Sequence, residues 1–99
     1  MGEIIAERFL TVRFENQVSQ ATVRLGRPIK LPDNPDYKCP LQILGVGDEK
    51  VRFASGEDAL QSLQLALSMI AIELHLRYND YTFQWLEPGD GGGFSAPET

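Results

Sequence analysis

Cysteine and histidine are nearly absent: Cys39 and His75 each stand alone in 99 residues. A single cysteine excludes an internal disulfide framework and is compatible with a reducing cytosol. One histidine and one cysteine, even joined by Asp33 and Asp36 of "PDNPD", do not reach the ligand spacing of a zinc site, so no metal is expected. Basic clusters are absent as well. The nine Lys and Arg residues are dispersed, which gives no footprint for nucleic acid. No uninterrupted apolar stretch approaches the ~18 residues of a membrane span, and "MGEIIAERF" is too short and too acidic for a leader. Ala6 stands where a myristoylation pattern wants Ser or Thr. These absences together point to a cytoplasmic protein with no membrane and no nucleic-acid partner.

The acidity is unevenly placed. The net charge is −5, and four of those units fall after Arg77, where Asp80, Glu87, Asp90 and Glu98 meet no base; the body is left at −1. A chain of 99 residues makes one domain with a modest core. Residues 1–87 read as that domain. Residues 88–99, "PGDGGGFSAPET", read as a flexible, acidic, Gly-rich tail.

Alternation organises the first half. In "RFLTVRFEN", Leu10, Val12 and Phe14 share one face, while Thr11 and Arg13 share the other. "SQATVRLG" repeats the pattern with Ala21, Val23 and Leu25 inward, and the polar "ENQV" between them predicts a hairpin. "RPIKLPDNPDYKCP" holds four of the six prolines and reads as a long connection. "LQILGV" and "KVRFAS" predict two more strands joined by a glycine turn at "GVGDEK". Ser55 is the predicted N-cap of a helix reaching about Tyr78, and "YTFQWL" predicts a fifth strand. The order β-β-β-β-α-β predicts an α+β fold: an antiparallel five-stranded sheet with one long helix packed across one face.

That helix, "ALQSLQLALSMIAIELHL", carries two apolar stripes. At ~100° per residue, Leu60, Leu63, Leu67, Ile70 and Leu74 fall together with Ala66 beside them, and Leu65, Met69, Ile72 and Leu76 fall nearly opposite. The first stripe is expected to face the sheet. The second needs cover, because four large side chains are worth roughly 1.5–3 kcal/mol each on burial. Three covers are open: the Pro-rich loop with Ile29, Leu31 and Tyr37, a second copy of the chain, or an unidentified protein.

No motif specifies catalysis, and no catalytic residue or cofactor is expected. His75 has no general-base partner within its helix, since Ser68 lies two turns away. "GVG" precedes a strand and is no phosphate cradle, and "GDGGG" lacks the oxygen ligands of a calcium loop. Tyr81, Phe83 and Trp85 are at strand spacing and read first as core or sheet surface. A lower-ranked alternative places a ligand pocket between sheet and helix, lined by Cys39, His75 and Trp85.

Cys39-Pro40, the Gly45-x-Gly47-Asp48-Glu49 turn, the "ASGEDALQSLQLAL" helix start and the terminal strand with Trp85 resemble a family of small uncharacterised bacterial proteins, a domain of unknown function, over residues 39–85. The resemblance implies a bacterial cytosolic source and carries over no catalytic residue. The leading functional expectation is a small non-enzymatic protein–protein interaction domain. It is expected to be a homodimer through Leu65, Met69, Ile72 and Leu76, regulating or neutralising a partner protein. The alternative is a small-ligand domain or weak enzyme.

Overall fold

Strands β1 (Ile4–Phe14) and β2 (Gln17–Gly26) form the expected hairpin, with Leu10 opposite Ala21 and Phe14 opposite Gln17. Glu15 turns the chain in a left-handed conformation, φ 55°. The structure, a computed structural model, describes residues 1–94. Alternation does what it predicts: Leu10, Val12, Ala21, Val23 and Leu25 are buried, because successive strand side chains leave on opposite faces.

The proline-rich stretch is more regular than its composition suggests. Strand β3 (Ile29–Lys30) and β4 (Tyr37–Leu44) pair antiparallel, so the true loop is short. Cys39 and Pro40 lie inside β4 rather than before it. Residues 41–44 of β4 pair with β2 and residues 37–38 with β3, so Pro40 sits where one edge changes partner. Its ring packs against Gly26. A residue without an amide proton is tolerated at such a break.

Strand β5 (Arg52–Gly56) pairs along the other edge of β4, with Cys39 opposite Ala54. Strand β6 (Thr82–Gln84) closes the far side beside β1, with Val12 opposite Phe83. The sheet therefore runs β6–β1–β2–β4–β5, with β3 extending β2 along β4. The fold is α+β as expected, with a sixth, two-residue strand added.

Helix α1 (Ala59–Ile72) continues through a π-helical turn, Glu73–Arg77. Ser55 belongs to β5, not to the helix start. The N-cap is Asp58, whose carboxylate accepts from the Gln61 amide at 2.7 Å, while the Gln61 side chain accepts from the Glu57 amide at 2.6 Å. Two otherwise unpaired amides are satisfied reciprocally, which fixes the start more firmly than a lone serine would.

The helix docks with a face rotated from the expected one. Ser62, Ala66, Ile70 and Leu74 are buried, whereas Leu60 and Leu67 remain 65% and 41% exposed. The reason is close approach. A Cβ on Gly56 of β5 would stand 2.5 Å from the Ser62 backbone nitrogen. Only small side chains fit that contact, so Ser62 and Ala66 face the sheet and the leucine rows flank it. The Ser62 hydroxyl donates to the Ala59 carbonyl at 2.8 Å, so burying it leaves no unpaired donor. Leu67, expected in the core, lies at its margin.

Candidate functional site

Two surfaces stand out, one on each flank of α1. On the first, Leu65, Ile72 and Leu76 are 42%, 44% and 54% exposed. Met69, the fourth member of that stripe, is half-buried and packs on the core. The Pro-rich loop does not cover the stripe: Ile29 is itself exposed, and Tyr37 is held in the sheet opposite Gly56. Between Leu65, Ile72 and Leu76 on one side and Leu60 and Leu67 on the other run Gln61, Gln64, Ser68 and His75. The helix over residues 59–77 is long and apolar enough to cross a membrane by length and composition, yet it docks on the sheet with 22% of that window buried. From Ala59 to Ile72 it carries no charged side chain.

The second surface is built around an arginine. Arg8 has the inward parity of Leu10 and Val12 and lies opposite Val23. The inner face of a sheet is a costly place for a guanidinium unless something receives it. Here Trp85 does, with the Arg8 guanidinium 3.6 Å from its ring centroid, and Phe94 lies on another side at 5.0 Å. Arg8 Nη1 also donates to the Gly92 and Gly93 carbonyls, at 3.4 Å each.

These aromatics are held by the segment that composition reads as tail. Through Phe94 it is a hydrogen-bonded turn. Asp90 accepts from the amides of Trp85, Leu86, Glu87 and Gly92 at 2.7–3.0 Å. Those amides, Glu87 and Trp85 foremost, hold the Asp90 carboxyl well below the usual carboxylate range. His75 Nε2 lies 2.7 Å from the Phe94 carbonyl, which fixes Nε2 as the protonated nitrogen and donor. The rest of the expected tail, residues 95–99, falls outside the described residues.

Beside Arg8 lies an open cleft of about 130 Å³. Ala6, Val23, Leu25, Leu67, Ile70 and Phe94 wall it, with Arg8 and Glu7 completing the lining. The Glu7 carboxylate is 3.6 Å from the Arg24 guanidinium, its ion-pair partner.

Of the three residues expected to line a ligand pocket, the structure brings two together and separates the third. His75 and Trp85 both contact the C-terminal turn. Cys39 is fully buried in β4, its thiol donating to the Gly26 carbonyl at 3.5 Å, and burial pushes that thiol's pKa up. Such a thiol is a small hydrophobe, poor as a nucleophile. Among the described residues no cluster of His, Cys, Asp or Glu could hold a metal. Arg8 escaped the sequence reading, although its parity was visible: two residues back from Leu10 is an inward position.

A ring of charges secures the far end of the helix. Asp48 in the β4–β5 turn pairs with Arg52 at 3.0 Å and Arg77 at 3.9 Å. Glu73 pairs with the same two arginines at 3.5 and 3.6 Å. Gly47 next to it has φ +68° and lies against the Tyr78 ring, where a Cβ would clash. The Arg52 hydrogen bonds, then the Lys50 amide, lower the Asp48 pKa to about 2. A folded-state value below the unfolded one, ~3.9, stabilises the native state above pH ~4 and is lost as pH falls towards 2. Asp48→Asn is therefore expected to lower the urea midpoint at pH 7. The gap from the parent protein should close between pH ~4 and 2; a gap independent of pH would show that the carboxylate's charge is irrelevant.

An antiparallel sheet, a helix docked through its small residues, an unpartnered apolar flank and a one-arginine cleft define a small α+β domain. The chain belongs to the family described as a domain of unknown function (DUF6968), which it matches over residues 6–96. The match takes in the first hairpin, beyond the 39–85 region that carried the resemblance. No curated protein and no solved structure matches the chain.

Proposed function

We propose that the protein is a non-enzymatic interaction domain that self-associates through the exposed flank of α1, helix against helix across a two-fold axis. The observation that carries this reading is the exposure of Leu65, Ile72 and Leu76 along one flank of a helix that is uncharged from Ala59 to Ile72.

Charge favours a second copy as the occupant. Two chains of net charge −5 repel, so a self-interface must lie where charge is absent, and residues 59–72 provide that. A basic or acidic partner would find nothing complementary there. Area sets the strength. The 19 helical residues from Ala59 to Arg77 span about 28 Å. A strip about 20 Å wide along it buries about 1,000 Å² over two copies, the lower bound for a specific interface. A dimer of that size dissociates on dilution.

The test is absolute mass by size-exclusion chromatography with light scattering, from about 500 to 1 μM. The parent protein is expected to move from twice 11.1 kDa towards 11.1 kDa on dilution. Added salt should favour the dimer by screening the repulsion. Ile72→Asp is expected to be a folded monomer throughout, while Leu60→Asp, on the other flank, keeps the dimer. A parent protein that is strictly monomeric at the highest concentration overturns the reading. In regulating or neutralising a partner protein, such a dimer would present its outer sheet face, where Phe9 and Phe53 are exposed.

A further inference from the structure

We propose that the cleft beside Arg8 is a binding site for a small apolar carboxylate, an aryl or branched short-chain acid. The site lies on the Leu67 flank of α1, away from Leu65, Ile72 and Leu76, so it is independent of self-association.

The walls select the apolar part. Val23 and Leu25 from β2, Leu67 and Ile70 from α1, and the Phe94 ring line an open cleft of about 130 Å³. An apolar cavity near 150 Å³ takes a benzene ring, so one ring or a branched chain of four to five carbons is about the limit here.

Arg8 selects the charge. It has no carboxylate partner among the described residues. Its two contacts to the Gly92 and Gly93 carbonyls use Nη1 alone and are long. Nε and Nη2 have no hydrogen-bond partner among the described residues, and together they form the planar fork that matches a carboxylate. The stack on Trp85 has already stripped water from one face of the guanidinium, so binding an anion costs less further desolvation. A single guanidinium balances a single negative charge. That favours a monocarboxylate over a phosphate dianion. Glu7, the one acid in the lining, is paired with Arg24 and does not compete for Arg8.

The site is built in advance. Asp90 ties the 85–94 turn through four amides and His75 fastens the Phe94 carbonyl, so the Trp85 and Phe94 rings are in place before any ligand arrives. Arg8 fastens the turn through Nη1 alone, and the rest of its guanidinium meets no acid among the described residues.

The experiment is an NMR titration of the full chain with phenylacetate, following the Leu67, Ile70 and Val23 methyls and the Arg8 Nε–H signal. Saturable shifts at all four are expected in the millimolar range. 2-Phenylethanol, the uncharged analogue, should bind at least about ten-fold more weakly, and inorganic phosphate should leave the methyls unmoved. Arg8→Gln should erase the preference for the acid over the alcohol. Because that change also loosens the turn, Leu67→Trp supplies a second arm: it fills the cleft from an exposed position and should abolish binding with Arg8 intact. Absence of saturation, equal binding of acid and alcohol, or unchanged phenylacetate affinity in Leu67→Trp would each overturn the proposal.

Discussion

Gly56→Ala is expected to lower the stability of the domain by about 2 kcal/mol, a fall in melting temperature on the order of 10 °C. The new methyl group would lie 2.5 Å from the Ser62 nitrogen and 2.9 Å from the Gln61 carbonyl carbon and the Ser62 Cα. All three are backbone atoms, so no rotamer change relieves the contact. The helix must lift by about 1 Å to restore ordinary separation, and Ile70 and Leu74 lift with it. Overpacking of this kind costs about 1–3 kcal/mol. The stiffer unfolded chain returns about 0.4–1 kcal/mol, since Gly56 has no left-handed φ and alanine can adopt its backbone. Ser62→Gly should not rescue the variant, because the obstruction is not the serine side chain. Thermal unfolding followed by circular dichroism decides the matter. A melting temperature within about 2 °C of the parent's would mean that the helix does not approach the sheet at Gly56.

That contact also explains which parts of the fold could be read from the sequence. The strands were legible because alternation has only two outcomes per strand: once Leu10 and Val12 are inward, Arg8 and Ala6 are inward too. The helix was not, because it is apolar nearly all round. When three arcs of a helix are hydrophobic enough to be core, hydrophobicity cannot choose among them. The choice falls to how closely two backbones can approach, and that is set by Gly56, which stands only six residues before Ser62 but meets it only once β5 has paired with β4 and the helix has turned back over the strand. Proline misled for a similar reason. Pro40 breaks a strand only if its amide is needed, and the need vanishes where β4 changes partner from β2 to β3. Arg8 meets Trp85 and Phe94 from the opposite end of the chain. Only the placement of β6 beside β1 brings them together. Asp90 stands among glycines that read as tail, and the four amides converging on it appear only once the turn is closed.

Ile70→Ala and Ile72→Ala, two positions apart on one helix, are expected to behave differently in kind. Ile70 has no exposed surface and belongs to the core under the sheet, where α1 packs on β4 and β5. Truncating it removes three carbons from the buried core and widens the space between helix and sheet, at a cost of about 2–5 kcal/mol. That is a large share of the 5–15 kcal/mol that holds a domain of this kind together, and it is independent of protein concentration. Ile72 is 44% exposed. Within one chain its truncation removes little packing, and a surface change of that sort falls within about 0.5 kcal/mol. Any further loss must come from the second copy, and a stabilising partner contributes by mass action, growing with the ratio of concentration to dissociation constant. Denaturation curves of both variants at about 1 μM and 500 μM protein therefore separate the two roles. For Ile70→Ala the deficit from the parent should be the same at both concentrations. For Ile72→Ala it should be near zero when dilute and emerge only when concentrated. A deficit for Ile72→Ala that is large and constant would make the stripe intramolecular core, and the self-associating face would have to be sought on the sheet instead.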